Sequence, residues 1–312
     1  MTKTKKIATR DAYGDEIMQL GQIDPNMYVV DCDISKSCKT ADFAKALPNQ
    51  HVNVGIAEQN ACGIAAGLAA CGKIPFVTTY AVFGSMRMSE QIRQVVCYPN
   101  LNVKIACSHG GLTPANDGAS HQGTEDMGIL RTIPNMTIVM GCDYWSSRKL
   151  VRAASEQHGP IYLRFTRDPV PCIYDEQEEF VIGKAKQLRD GDAITIIANG
   201  DVLTLALDAA DELLKQGIKT RVLDMHTIKP LDVDAVKLAI RDTGAIVTVE
   251  DHNMINGLGS AVSEVVAEVG GAKVIRIGIR DQFGESAPYE SLLKKNGITV
   301  DEIVLSCNKL MQ

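Results

Sequence analysis

The chain has 312 residues, 45% hydrophobic and 22% charged, with 32 Lys and Arg against 38 Asp and Glu for a net charge of −6. That length predicts two domains and a core that hides about 75% of the surface an unfolded chain exposes, with no need of disulfide staples. The composition excludes a disordered or collagen-like chain, and the acidic balance argues against nucleic acid as the main partner while leaving room for a local basic site for a phosphorylated small molecule.

The elements follow in chain order. Met1 to Arg10 is basic but has no apolar run behind it, so a secretory signal is not expected. Short β-branched runs then alternate with helical ones. Strands are expected at 27–31, 51–56, 74–80, 102–108, 136–141 and 161–165, with helices at 58–71, 89–97, 124–132 and 144–157. This alternation predicts an α/β fold with a mostly parallel sheet covered by helices on both faces. The pattern breaks between Arg167 and Asp192, where Pro169, Pro171 and the acidic run from Asp175 to Glu179 predict an exposed linker. A second α/β unit follows, with strands at 193–198, 220–224, 245–249 and 274–277 and helices at 202–216, 233–241 and 259–269. The domains are therefore expected at 1–175 and 190–312. No stretch approaches the ~18 apolar residues of a membrane span. The nine cysteines form no C-x-x-C pair, and most sit in apolar runs. They read as reduced thiols of a cytoplasmic protein.

In a parallel sheet, ligands bind beyond the carboxyl ends of the strands. Glu58 stands where a strand runs into a helix rich in small residues, among them Ala61, Gly63, Ala65, Ala66 and Gly67. Such a face lets another backbone approach closely. A carboxylate at its root suits a group that shares a proton with a ligand nitrogen, although a plain interaction with the helix dipole explains it as well. The loop from His109 to Thr124 holds two of the six histidines, one Asp and four Gly. A loop of that length in a compact domain is usually functional. Neutral imidazoles acting on hydroxyls fit it better than a metal pair, since no Cys or second carboxylate stands at ligand spacing. Phe83, after a strand, is a candidate stacking platform. Arg164 and Arg167 end a strand and could fork onto phosphate oxygens. Gly257-x-Gly259 opens a helix like half of a phosphate loop, and His252 beside it reads as a loop or interface histidine.

Taken together, Val54-Gly-Ile-Ala-Glu58-Gln-Asn60, Phe83, Asn116-Asp-Gly-Ala-Ser-His-Gln122 and Asp224-Met-His-Thr-Ile-Lys-Pro230 resemble transketolase. More narrowly, the chain is similar to the C-terminal subunit of split transketolases, which use thiamine diphosphate. The resemblance implies a pyrimidine-binding domain followed by a C-terminal domain without chemistry of its own. It implies that Glu58 bonds N1′ of the aminopyrimidine and promotes its imino tautomer, that Phe83 stacks on that ring, and that Asp33 lies near the cofactor. It further implies that Asp117 and His121 hold sugar hydroxyls, that His109 lies near donor and acceptor hydroxyls, and that Arg10, Ser37 and Arg167 touch substrate phosphate. The reaction implied is two-carbon ketol transfer between sugar phosphates. The family holds its diphosphate through a metal on a Gly-Asp-Gly motif. Here Gly14-Asp15, Gly191-Asp192 and Gly200-Asp201 are not followed by Gly. The Mg²⁺ or Ca²⁺ is therefore expected on an N-terminal partner subunit, with none on this chain, in a heterotetramer of two plus two. Deoxyxylulose-phosphate synthase and the beta subunits of 2-oxo acid dehydrogenases share the glutamate. The former typically lacks a histidine at the place of His109, and the latter do not typically show the two-histidine loop.

Overall fold

A computed structural model describes residues 5–312. The first part of the chain contributes strands β1 (Lys6–Ile7), β2 (Met27–Asp31), β3 (His51–Asn53), β4 (Ile74–Tyr80), β5 (Lys104–Ser108), β6 (Thr137–Val139), β7 (Ile161–Arg164) and β8 (Val170–Pro171). The second contributes β9 (Lys186–Arg189), β10 (Ile194–Ala198), β11 (Thr220–Asp224), β12 (Thr227–Lys229), β13 (Ala245–Asn253) and β14 (Lys273–Ile279). One sheet runs β12-β6-β7-β5-β4-β2-β3, the other β14-β13-β10-β11-β9, and β1 pairs with β8 as a separate ribbon. Within the large sheet β2 to β7 are parallel. In the smaller sheet β10 is parallel to β11 and to β13, and β13 to β14. Every residue of β5 and of β10 is buried, as parallel strands covered on both faces require.

The two sheets are not independent. β12, which belongs to the second half of the sequence, pairs antiparallel with β6 and closes the large sheet's edge. Lys229 fastens it by donating to the carbonyls of Arg131 and Ile133. The expected linker is also less free than its composition suggests. Asp175, Glu176 and Gln177 face water, but Tyr174 and Phe180 are buried in a core that continues from one half to the other. The Asp143 carboxylate, which caps helix Tyr144–Glu156, also accepts the N–H groups of Ile173 and Tyr174.

Helix Thr9–Ile23 was not expected, and its glycines explain why. A Cβ on Gly14 would lie 2.6 Å from the Lys39 carbonyl, and one on Gly21 would lie 2.4 Å from the Phe43 ring. These residues answer to close packing rather than helix propensity. The expected helix at 89–97 is helical throughout, an α turn at Ser89–Gln91 continued by a wide i→i+5 stretch at Ile92–Cys97, and a second wide stretch, Phe83–Arg87, precedes it. Such widened turns tend to mark functional sites.

Candidate active site

The sequence-predicted residues converge on the carboxyl end of the large sheet. β2 leads to Asp33 and to the short helix Ser35–Cys38 that carries Ser37, β3 leads to Glu58, and β4 to Tyr80 and Phe83. β5 leads to His109, and β7 to Arg167. Asp33 and His109 hold backbone φ of 66° and 63°, the left-handed region that non-glycine residues rarely occupy. Strain of that kind concentrates at functional positions.

Glu58 opens helix Glu58–Ala70 and is 3% exposed. Its carboxylate accepts a hydrogen bond from Arg87 Nη1 at 2.9 Å. The same guanidinium lies 4.6 Å over the Phe83 ring. Arg87 is absent from the sequence candidates. No sequence signal marks it, because no helix is expected at 83–87, and only within one do residues four apart share a face. Phe83 also meets His121 edge-on, with ring centroids 5.9 Å apart. Tyr80 joins the cluster, 3.9 Å from His109 and 5.9 Å from His121. Glu58, Arg87, Phe83, His121, Tyr80 and His109 thus form one continuous chain of contacts.

His109 is buried, and its Nδ1 lies 2.7 Å from Ser108 Oγ. Burial, and secondarily the positive charges of Arg10 and Arg167, push its pKa down to about 3. The imidazole is therefore neutral from pH 8 to about pH 4 and can exchange a hydrogen bond with a hydroxyl without first losing a proton. Its ring C–H resonances should stay flat across that range in an NMR titration. A midpoint between pH 6 and 7 would show that the ring is charged by ordinary acid.

The phosphate candidates gather at the rim. Arg10 Nη1 donates to the Ser37 carbonyl at 3.0 Å. Arg167 Nε stands 3.5 Å from the Asp117 carboxylate, tying a phosphate candidate to a hydroxyl candidate. Asp33, exposed, accepts from Asn53 Nδ2 at 3.0 Å. Arg164 is corrected. It is fully buried, bonded through Nε to Asp126 at 2.9 Å and through Nη2 to the carbonyls of Gly123 and Asp251, so it binds no phosphate. Gly257-x-Gly259 is corrected too. Glu250 already accepts the Leu258 and Gly259 N–H groups, at 2.7 and 2.8 Å, leaving that helix end no anion to bind. His252 is an interface histidine rather than a loop one: it is buried in β13 and accepts the Gly128 N–H at Nε2. Burial holds its pKa down at about 4. Among the described residues no group of three or more His, Cys, Asp or Glu is placed to hold a metal ion, and no helix is long and apolar enough to cross a membrane.

A two-domain α/β chain with a buried carboxylate, an aromatic ring and two histidines at the carboxyl end of one sheet has the form of a ligand-binding α/β protein. Comparison supplies its family. Residues 5–171 match the family described as "Transketolase, pyrimidine binding domain", and residues 183–303 match "Transketolase, C-terminal domain". A Methanocaldococcus jannaschii protein named for the C-terminal section of transketolase is 45% identical over 94% of this chain and 93% of its own. One of the subunits of an apulose-4-phosphate transketolase from Phocaeicola vulgatus is 43% identical over 88% of each chain. A solved structure described as "Split gene transketolase, inactive beta4 tetramer" superposes with a TM-score of 0.90 at 44% identity, over 98% of this chain and 99% of its own. The chain belongs to the transketolase family and corresponds to the C-terminal subunit of a split transketolase.

Proposed function

We propose that this chain is one half of a thiamine diphosphate-dependent transketolase, moving a two-carbon ketol unit from a ketose phosphate to an aldose phosphate. The observation that carries the reading is the join between Glu58–Phe83 and the two-histidine loop through contacts of 3.9–5.9 Å. Glu58 and Phe83 fit the polar edge and the flat face of an aminopyrimidine. His109 and His121 stand beside them, where hydroxyls next to a reacting carbon would lie. The cofactor, when bound, supplies the sink for the electron pair left on the two-carbon fragment. This chain's residues then do the orienting. Glu58 holds a proton against the ring nitrogen. His121 and Asp117 hold sugar hydroxyls, and neutral His109 serves the hydroxyls of donor and acceptor. Arg10, Ser37 and Arg167 hold phosphate at the rim, and Asp33 lines the cofactor side.

A diphosphate needs a cation, and the reading assigns that cation, Mg²⁺ or Ca²⁺, to an N-terminal partner subunit with a Gly-Asp-Gly motif. On helix Glu58–Ala70, Gly63 and Gly67 are exposed, and a Cβ on either would meet nothing within 4 Å. That open, small-residue face on the helix that Glu58 begins supports close approach by another chain, and two sites per assembly of two plus two would follow from two-fold pairing. The related chain described as an inactive beta4 tetramer supports expecting the chain without its partner to be inactive.

The test mixes the purified chain with the partner subunit, thiamine diphosphate and Mg²⁺. Ketol transfer between a ketose phosphate and an aldose phosphate is expected from the mixture, and none from this chain alone. Full activity of the chain by itself would defeat the split-site reading. Carbon dioxide release from pyruvate in place of ketol transfer would defeat the transketolase reading.

A further inference from the structure

The loop that carries both histidines is held from below by the other half of the molecule. Its neck is closed by Gly111, whose N–H donates to the Gly123 carbonyl at 2.8 Å. One residue further on, the Leu112 N–H points at the carboxylate of Asp251 and lies 3.1 and 2.9 Å from its two oxygens. Asp251 sits in β13, in the second sheet, and is buried. Its own position is set by neighbours on two sides. The Tyr289 hydroxyl lies 3.3 Å away and also bonds Asp201. The Asp251 carbonyl accepts from Arg164, which also holds the Gly123 carbonyl at the loop's far end. The fit leaves no slack: a Cβ on Gly111, whose φ is +61°, would lie 2.1 Å from Asp251 Oδ2.

We propose that Asp251 is a positioning residue for His109. The carboxylate fixes the Leu112 amide three residues beyond His109, and so holds the strained His109 backbone and its ring against Tyr80. The second domain on this view makes no contact with substrate, yet it sets the geometry of a group that does. A displacement of about 1 Å at a reacting group can cost on the order of 100-fold in rate. The inference rests on the role given to His109 above.

The experiment has two readouts. In the full chain, hydrogen exchange at the Leu112 amide is compared between wild type and Asp251→Asn. The amide side chain keeps the size but loses one acceptor oxygen, and protection at Leu112 is expected to fall about tenfold or more. Unchanged protection would overturn the clamp. In the complex with the partner, Asp251→Asn is expected to lower kcat/KM by roughly 10- to 100-fold. The same change in a His109→Asn background should cost less than about 3-fold, since coupled residues are not additive. An equal loss in both backgrounds would mark a merely structural role and overturn the proposal. Gly111→Ala attacks the same contact from the loop side and should reproduce both results if Asp251→Asn does not fold. If the wild-type complex transfers no ketol unit, the function proposed above fails, and protection at Leu112 alone then upholds or overturns the clamp.

Discussion

Glu58→Gln is expected to lower turnover of the assembled enzyme by about 10²–10⁴-fold or more while the chain stays folded. Gln keeps the side chain's shape and can still accept from Arg87. It cannot take up and return a proton at the ring nitrogen. The fold survives because the partner left behind is not trapped: the Arg87 side chain is 48% exposed and can rehydrate. Turnover at saturating cofactor, together with the thermal midpoint, checks this. More than a tenth of wild-type activity in the variant would remove Glu58 from the chemistry.

The second large effect is on stability. Arg164→Met should destabilise the chain by about 3–5 kcal/mol, the usual loss when one partner of a buried ion pair is removed. Both side chains of the Arg164–Asp126 pair are fully buried. Asp126 would keep the Tyr162 hydroxyl at 2.6 Å but lose its countercharge, and the Gly123 and Asp251 carbonyls would lose their donor. The melting temperature should drop by roughly 5–8 °C. Adding Asp126→Leu should recover part of the loss, because two apolar groups leave no orphaned charge. A change under about 1 kcal/mol in the single variant would show that water reaches the pair.

Much of the scaffold can be read from residue order. β2, β4 and β11 span the expected 27–31, 74–80 and 220–224, because strands buried on both faces are rich in apolar and β-branched residues. Glu58, Phe83, His109 and His121 were legible for a different reason. They follow strands, and polar or aromatic groups at strand ends have few structural duties there. What escaped the reading depends on contacts between distant segments. Helix Thr9–Ile23 is hidden by glycines that serve packing. β12 is three residues long and gains its identity only by pairing with β6. Arg164 illustrates the opposite error, since an arginine after a strand looks the same in sequence whether it reaches for a ligand or for a buried aspartate. Arg87 became visible only when the turn at Phe83–Arg87 brought its guanidinium onto both Phe83 and Glu58.

The antiparallel pairing of β12 with β6 bears on how this molecule can be divided. A fragment cut after residue 175 would end before β12 and leave β6 as a raw margin, with the Met140 amide stripped of the His226 carbonyl it bonds at 2.8 Å. An exposed margin of that sort invites strands from other molecules. The reciprocal fragment would carry Thr227–Lys229 with nothing to pair against and would strip Tyr174 from the Asp224 carboxylate it caps at 3.0 Å. The gene's two recognisable modules are thus one unit of inheritance in physical terms: a recombination that swaps either half for a distant relative's must also match a three-residue seam written in the other.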